Sequence, residues 1–133
     1  MNTKKEVMAI VSQKGMYSCM NDTKWKELQT AMDGLPFPPP YVLKTVCEEE
    51  TAQHKFDNDV WYIGDWSDEA LLWGDFYAIE WVKIRPCYTE HQGRLIPDKL
   101  IDETEDFLTV LKKINVPFEE QNGTYTIYGY RTE

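Results

Sequence analysis

FYAIEWVKIR, residues 76–85, is the stretch on which the fold turns. It is rich in aromatic and β-branched residues, the composition of a pleated strand. A period of two places Phe76, Ala78, Glu80, Val82 and Ile84 on one face. Tyr77, Ile79, Trp81, Lys83 and Arg85 take the other. Both faces are largely apolar at the N-terminal end, which predicts a central strand covered on two sides.

Upstream, residues 41–47 and 60–63 also read as strands, the second ending at Gly64. Between 63 and 76, WSDEALLWGD offers Ser67 as the N-cap of a single helical turn before Gly74. PFPPP (36–40) forbids both helix and paired strand. It is expected as an extended connector laid against the body through Phe37, with a polyproline ligand for another domain as the alternative. Before it, MNDTKWKELQTAMDGLP reads as a helix capped by Asn21 or Asp22, with Gly34 at its C-terminal cap. Trp25, Leu28 and Met32 share its apolar face. Residues 4–13 suggest a further short helix, ended by Gly15.

Downstream, DKLIDETEDFLTVLKKI (98–114) reads as an amphipathic helix. Leu100, Thr104, Phe107, Leu108, Leu111 and Ile114 recur at helical spacing, with acids in the first turns and Lys112 and Lys113 in the last. The tail VPFEEQNGTYTIYGYR reads as a hairpin about Asn122-Gly123, a strong two-residue turn signal. Together these predict a single α+β domain over 20–133. Its mostly antiparallel sheet of about five strands is packed by two or three helices, and residues 1–19 form an N-terminal extension with a short helix.

The 133 residues suit one domain, and 42% hydrophobic with 14% aromatic residues suits a folded core. MNTKKEVMAIVSQKG never builds an uninterrupted apolar stretch, so neither a signal peptide nor a membrane span is expected. Cys19, Cys47 and Cys87 are odd in number and far apart, which predicts reduced thiols in the cytosol rather than a disulfide or zinc framework. The net charge of −9 is unevenly spread. Residues 1–47 carry six Lys/Arg and four Asp/Glu, 48–75 one and nine, and 76–133 seven and ten. The middle 28 residues therefore hold −8, together with Trp61, Trp66 and Trp73. Such a balance works against nucleic-acid phosphates and favours a cationic partner.

MNDTKW, LPFPPPY, IGDWS, FYAIEW, GRLIP, IDETEDF and NGTYTIYGY together resemble a family of short bacterial proteins known only as a domain of unknown function. The resemblance spans residues 20–130 and carries no activity, hence no catalytic residue. It implies a small soluble bacterial protein in the setting of toxin–antitoxin or immunity genes.

Three kinds of chemistry are weighed on the residues themselves. Glu80 on an apolar strand face would have a raised pKa and suit general acid–base work, with Asp65 or Asp75 as a second carboxylate. Its structural alternative is an ion pair with a Lys or Arg on a neighbouring strand. His54 and His91 have no local metal-ligand partner, and DNDVWYIGDWSD lacks the ligand spacing of a calcium loop. No serine lies in a nucleophile elbow and no glycine-rich loop cradles phosphate. The sequence thus calls for no catalytic residue, metal or cofactor.

The acidic aromatic stretch remains. Trp61 and Trp81 suit core packing, whereas DWSDEALLWGD sets Trp66 and Trp73 among carboxylates, where indole and acid together grip Lys and Arg. The expected function is a small acidic cytosolic binding module, an immunity- or inhibitor-type protein occluding a basic protein partner. Asp65, Trp66, Asp68, Glu69, Trp73 and Asp75 form its expected surface, Trp66 and Trp73 alternatively capping the core. The alternatives are a hydrolase-like enzyme using Glu80 and a nucleic-acid mimic. No direct nucleic-acid or membrane contact is expected, and no oligomeric state is implied.

Overall fold

The structure is a computed structural model that describes residues 4–49, 64–67 and 76–132. Among these, three helices and eight strands form an α+β fold with every strand pair antiparallel. The α1 helix spans Lys4–Gln13 and ends at Gly15, whose φ of +66° suits glycine. After β1 (Met16–Ser18) comes α2 (Asp22–Asp33). Asn21 starts α2 by accepting the Lys24 N–H at 2.8 Å, and the Gly34 N–H closes it on the Thr30 carbonyl at 3.1 Å.

The main sheet has the order β2-β3-β7-β6, with β2 at Tyr41–Thr45, β3 at Ile79–Ile84, β6 at Glu119–Gln121 and β7 at Thr124–Tyr128. Residues 76–85 are therefore central as expected, but the strand starts three residues later, after a 3₁₀ turn at Phe76–Ala78. There the Ala78 carbonyl accepts the Val46 N–H from beyond β2, and the Tyr77 carbonyl accepts the Tyr130 hydroxyl. A bulge follows: Lys44 lies opposite Trp81 and Thr45 opposite Ile79, so Glu80 is the extra residue. Strict alternation would separate Ile79 from Val82 and Ile84, yet all three join one core.

That core lies between the sheet and two helices. Val82 and Ile84 of β3, with Tyr125 and Ile127 of β7, meet Trp25, Leu28 and Met32 of α2. Phe107 and Leu111 of α3 (Thr104–Ile114) complete it. Each fully buried aliphatic side chain among them contributes roughly 1.5–3 kcal/mol. Trp81 is buried on the opposite face, so β3 is covered on both sides.

Two smaller ladders surround this body. β4 (Cys87–Glu90) pairs with β5 (Lys99–Asp102), and β1 pairs with β8 (Tyr130–Thr132). The helix expected from residue 98 thus begins only at Thr104. Residues 99–102 satisfy their backbone by pairing with β4, and Asp102 Oδ1 accepts the Thr104 N–H at 2.9 Å. The single sheet of about five strands becomes a four-stranded sheet flanked by two pairs among the described residues. Residues 4–18, read as an extension, are built into the same body. Val7 is buried with Val46, Ala78 and Tyr130, and β1 runs beside β8.

The β6–β7 hairpin turns at Asn122-Gly123, with φ of 54° and 80°. Two positive φ values in succession mark the turn whose twist matches the flanking strands. The expected strand at 60–63 and the helical turn before Gly74 lie outside the described residues. No helix among those described is long and apolar enough to cross a membrane.

Candidate binding surface

The proline connector is where the acidic stretch meets the body. Prolines donate no backbone hydrogen bond, but their carbonyls still accept, and here three in succession do. Pro38 accepts from the Gly64 N–H at 2.9 Å, Pro39 from the Trp66 indole N–H at 2.9 Å, and Pro40 from the Arg85 N–H at 3.1 Å. The connector is anchored by buried Pro39 and Pro40 rather than by Phe37, which is 42% exposed and rests against the Tyr88 ring. Glycine is required at 64, because a Cβ there would run into the Pro39 carbonyl and the Trp66 ring.

Trp66 is 1% exposed. Besides its bond to Pro39, its ring packs against Tyr41 at 4.5 Å, and its carbonyl accepts from Gln29 at 3.0 Å. It is a core residue, not an exposed anchor, which corrects the surface expected from the sequence. The reason is the indole's size: closing the connector over the sheet end gives a large apolar ring a better partner than water. The N–H goes to a backbone carbonyl, not to a neighbouring acid.

Asp65, by contrast, faces solvent. Its Oδ1 accepts from the Ser67 hydroxyl at 2.6 Å and the Ser67 N–H at 3.0 Å. These bonds stabilise the ionised form and hold its pKa below the usual carboxylate value. Asp65 is thus a charged group in a set orientation, formed by a local D-W-S turn. Glu48 and Glu49, which open the acidic stretch, are exposed as well. Asp68, Glu69, Trp73 and Asp75 lie outside the described residues, as does Trp61.

Glu80 takes the ion-paired arrangement. Its Oε1 receives the Lys44 ammonium at 2.9 Å, with side chains 15% and 7% exposed. The bulge moves Glu80 off the apolar face and beside Lys44, so a carboxylate-pair mechanism loses its first member. Trp81 is also accounted for structurally, being 5% exposed with the Lys83 ammonium 4.5 Å from its ring centre.

The residue that sequence reading missed is Glu103. Read only as one of the acids in the first turns of a helix over 98–114, it instead precedes α3 and is 8% exposed. Burial lifts its pKa to about 7; the Phe37 backbone N–H partly offsets this and Asp106 adds to it. Among the described residues neither carboxyl oxygen has a partner in hydrogen-bond geometry. Its N–H, though, is bound to the Pro86 carbonyl at 2.9 Å, which holds the group in place. The only signal in the sequence was indirect: Asp102 followed by Thr104 marks a later helix start.

Two open cavities flank the start of α2. One, of about 690 Å³, is lined by Asp22, Thr23, Lys26, Glu27, Thr30, Ala31, Phe76 and Ile114. The other, of about 660 Å³, shares Asp22, Thr23 and Phe76 and extends to Tyr77 and Tyr130. No three His, Cys, Asp or Glu side chains gather as a metal site among the described residues.

Five of the quoted motifs meet structurally, whereas GRLIP is largely exposed. PFPPPY holds GDWS (64–67), while Gly129 of NGTYTIYGY sits against the Ile79 carbonyl of FYAIEW and Trp25 of NDTKW. Those five are sites of close packing around one core. Neither a curated protein nor a solved structure matches the chain. Residues 7–133 match the model of a family of unknown function, DUF6678, and the chain belongs to that family.

Proposed function

We propose that this protein is a small acidic binding module of the bacterial cytosol, an inhibitor- or immunity-type protein that occludes a basic protein partner. The observation that carries this reading is charge concentration: residues 48–75 hold nine acids and one Lys. Asp65 supports it as an exposed carboxylate held ionised by Ser67. Asp68, Glu69 and Asp75 join it by sequence alone, with Trp73 as the aromatic contact; Trp66 serves by holding the segment to the connector. The mechanism is steric and electrostatic, with long-range attraction speeding encounter. The hydrolase-like alternative is disfavoured by the Lys44–Glu80 pair.

The test is capture from the native cell, at low and high salt, by the wild type and by a variant carrying Asp65→Lys, Asp68→Lys and Glu69→Lys. A basic protein retained by the wild type at low salt, released at high salt and lost from the variant is the expected result. Equal retention by the variant would sink the proposal.

A further inference from the structure

Glu103 stands at the root of the arm formed by β4 and β5, where both strands leave the body. Its N–H donates to the Pro86 carbonyl at 2.9 Å, one step beyond the Cys87↔Asp102 pair at that end of the ladder. Its carbonyl accepts the Phe107 N–H at 2.9 Å, so the same residue fixes the first turn of α3. The proline connector completes the enclosure. The Phe37 N–H acts on the Glu103 carboxyl, the carboxyl acts on the Tyr88 hydroxyl, and the Phe37 and Tyr88 rings meet at 5.4 Å. The carboxyl is therefore walled by one connector residue and one β4 residue in mutual contact. Phe37 is 42% exposed, so this wall borders solvent.

A buried carboxyl whose oxygens find no hydrogen-bond partner among the described residues suits the protonated form and penalises the ionised one. Of the groups around it, only the Phe37 N–H works the other way. From α3 comes Asp106, a like charge. From β4 comes the Tyr88 hydroxyl, with Glu90 beyond it. At the end of β5, Asp102 is itself held ionised by Thr104, and Arg85, past the end of β3, acts on Asp102 and Cys87.

We propose that ionisation of Glu103 unlatches the arm: the carboxylate reaches water by parting Phe37 from Tyr88 and breaking the Glu103–Pro86 bond, which frees β4 and β5 from the connector. The neutral carboxyl keeps the latch closed. The closed root holds the proton up to about pH 7, whereas the open root releases it near the ordinary value of 4.5. Opening therefore becomes easier as pH rises from about 4.5 to about 7 and is level above that. The gap between the two values sets a ceiling of about 300-fold on the gain. The open form bares the Phe37 and Tyr88 rings, so acidity governs whether this aromatic pair is available.

The experiment is residue-resolved amide hydrogen exchange of the full chain from about pH 4.5 to about pH 8, corrected for the intrinsic effect of pH. In the wild type, protection of the Glu103 amide should fall at least about tenfold up to about pH 7 and then level off. It should also lie at least about tenfold below that of the β3 and β7 amides, because the latch opens without unfolding the sheet. Glu103→Gln, neutral throughout, should keep the amide at position 103 equally protected at every pH. Phe37→Ala, at an exposed position, removes the wall, so that amide should be weakly protected and insensitive to pH across the whole range. If Glu103→Gln does not fold, the wild-type curve and Phe37→Ala decide the matter. A wild-type Glu103 amide indifferent to pH, one that opens only together with β3 and β7, or a folded variant that follows the wild-type curve would each overturn the proposal.

Discussion

The Trp66 indole N–H donates to the Pro39 carbonyl at 2.9 Å, joining two motifs 27 residues apart in a buried contact. This one bond turns a suspected surface tryptophan into the pin that holds the proline connector to the acidic segment. Trp66→Phe, which keeps a ring but loses the donor, should cost about 1–3 kcal/mol through the orphaned carbonyl. Trp66→Ala should cost about 3–5 kcal/mol. Urea unfolding measures both, and losses below about 0.5 kcal/mol for either would contradict the buried placement.

The Lys44–Glu80 pair predicts a non-additive double mutant. Breaking it from one side, by Lys44→Met or Glu80→Leu, strands a largely buried charge and should cost about 3–5 kcal/mol. The double variant should recover most of that loss. Simple additivity in the cycle would show that the two side chains act independently.

Glu103 makes stability fall as pH rises towards neutrality. Its folded pKa of about 7 lies above its ordinary value of 4.5, so between these values the folded state retains a proton that the unfolded chain has lost. Its contribution is fully present below about pH 4.5 and is lost as pH climbs through about 7. Over that window the wild type should lose up to about 3 kcal/mol relative to Glu103→Gln. Asp65 and Asp102, held below the usual carboxylate value, act oppositely and only in more acidic solution. Parallel stability–pH curves for the wild type and Glu103→Gln would rule out the raised pKa.

Gly123 should resist substitution. Its φ of 80° disfavours any side chain, and a Cβ there would meet the Arg85 guanidinium, whose Nη1 donates to the Asn122 carbonyl at 3.3 Å. Gly123→Ala should therefore destabilise the hairpin by more than about 1 kcal/mol. Chemical denaturation reads this directly, and an unchanged midpoint would count against the turn geometry.

Much of the fold was legible because its signals are local. Asn21 and Gly34 bound α2 through bonds within four residues, and Asn122-Gly123 sets its turn by its own φ values. The strand over Ile79–Ile84 follows from its aromatic and β-branched composition, and alternation holds from Trp81 onward. Where reading failed, the deciding partner was distant. Residues 99–102 fit a helical pattern on spacing alone, but β4 was there to pair with them. The strand start at Ile79 depended on Val46, 32 positions before Ala78.

The sequence by itself determined the α+β class, the caps of α2, the hairpin turn and the −8 concentrated in residues 48–75, since composition, capping and charge need no distant partner. Only the tertiary structure decided which polar groups leave water. Trp66 and Glu103 lie among acids in the sequence, where nothing local distinguishes them from exposed neighbours, and Glu80 stands on an apolar strand whose sequence does not name its partner. Burial is a property of what packs against a group, so the connector, Lys44 and the packing around Pro86 decided their chemistry.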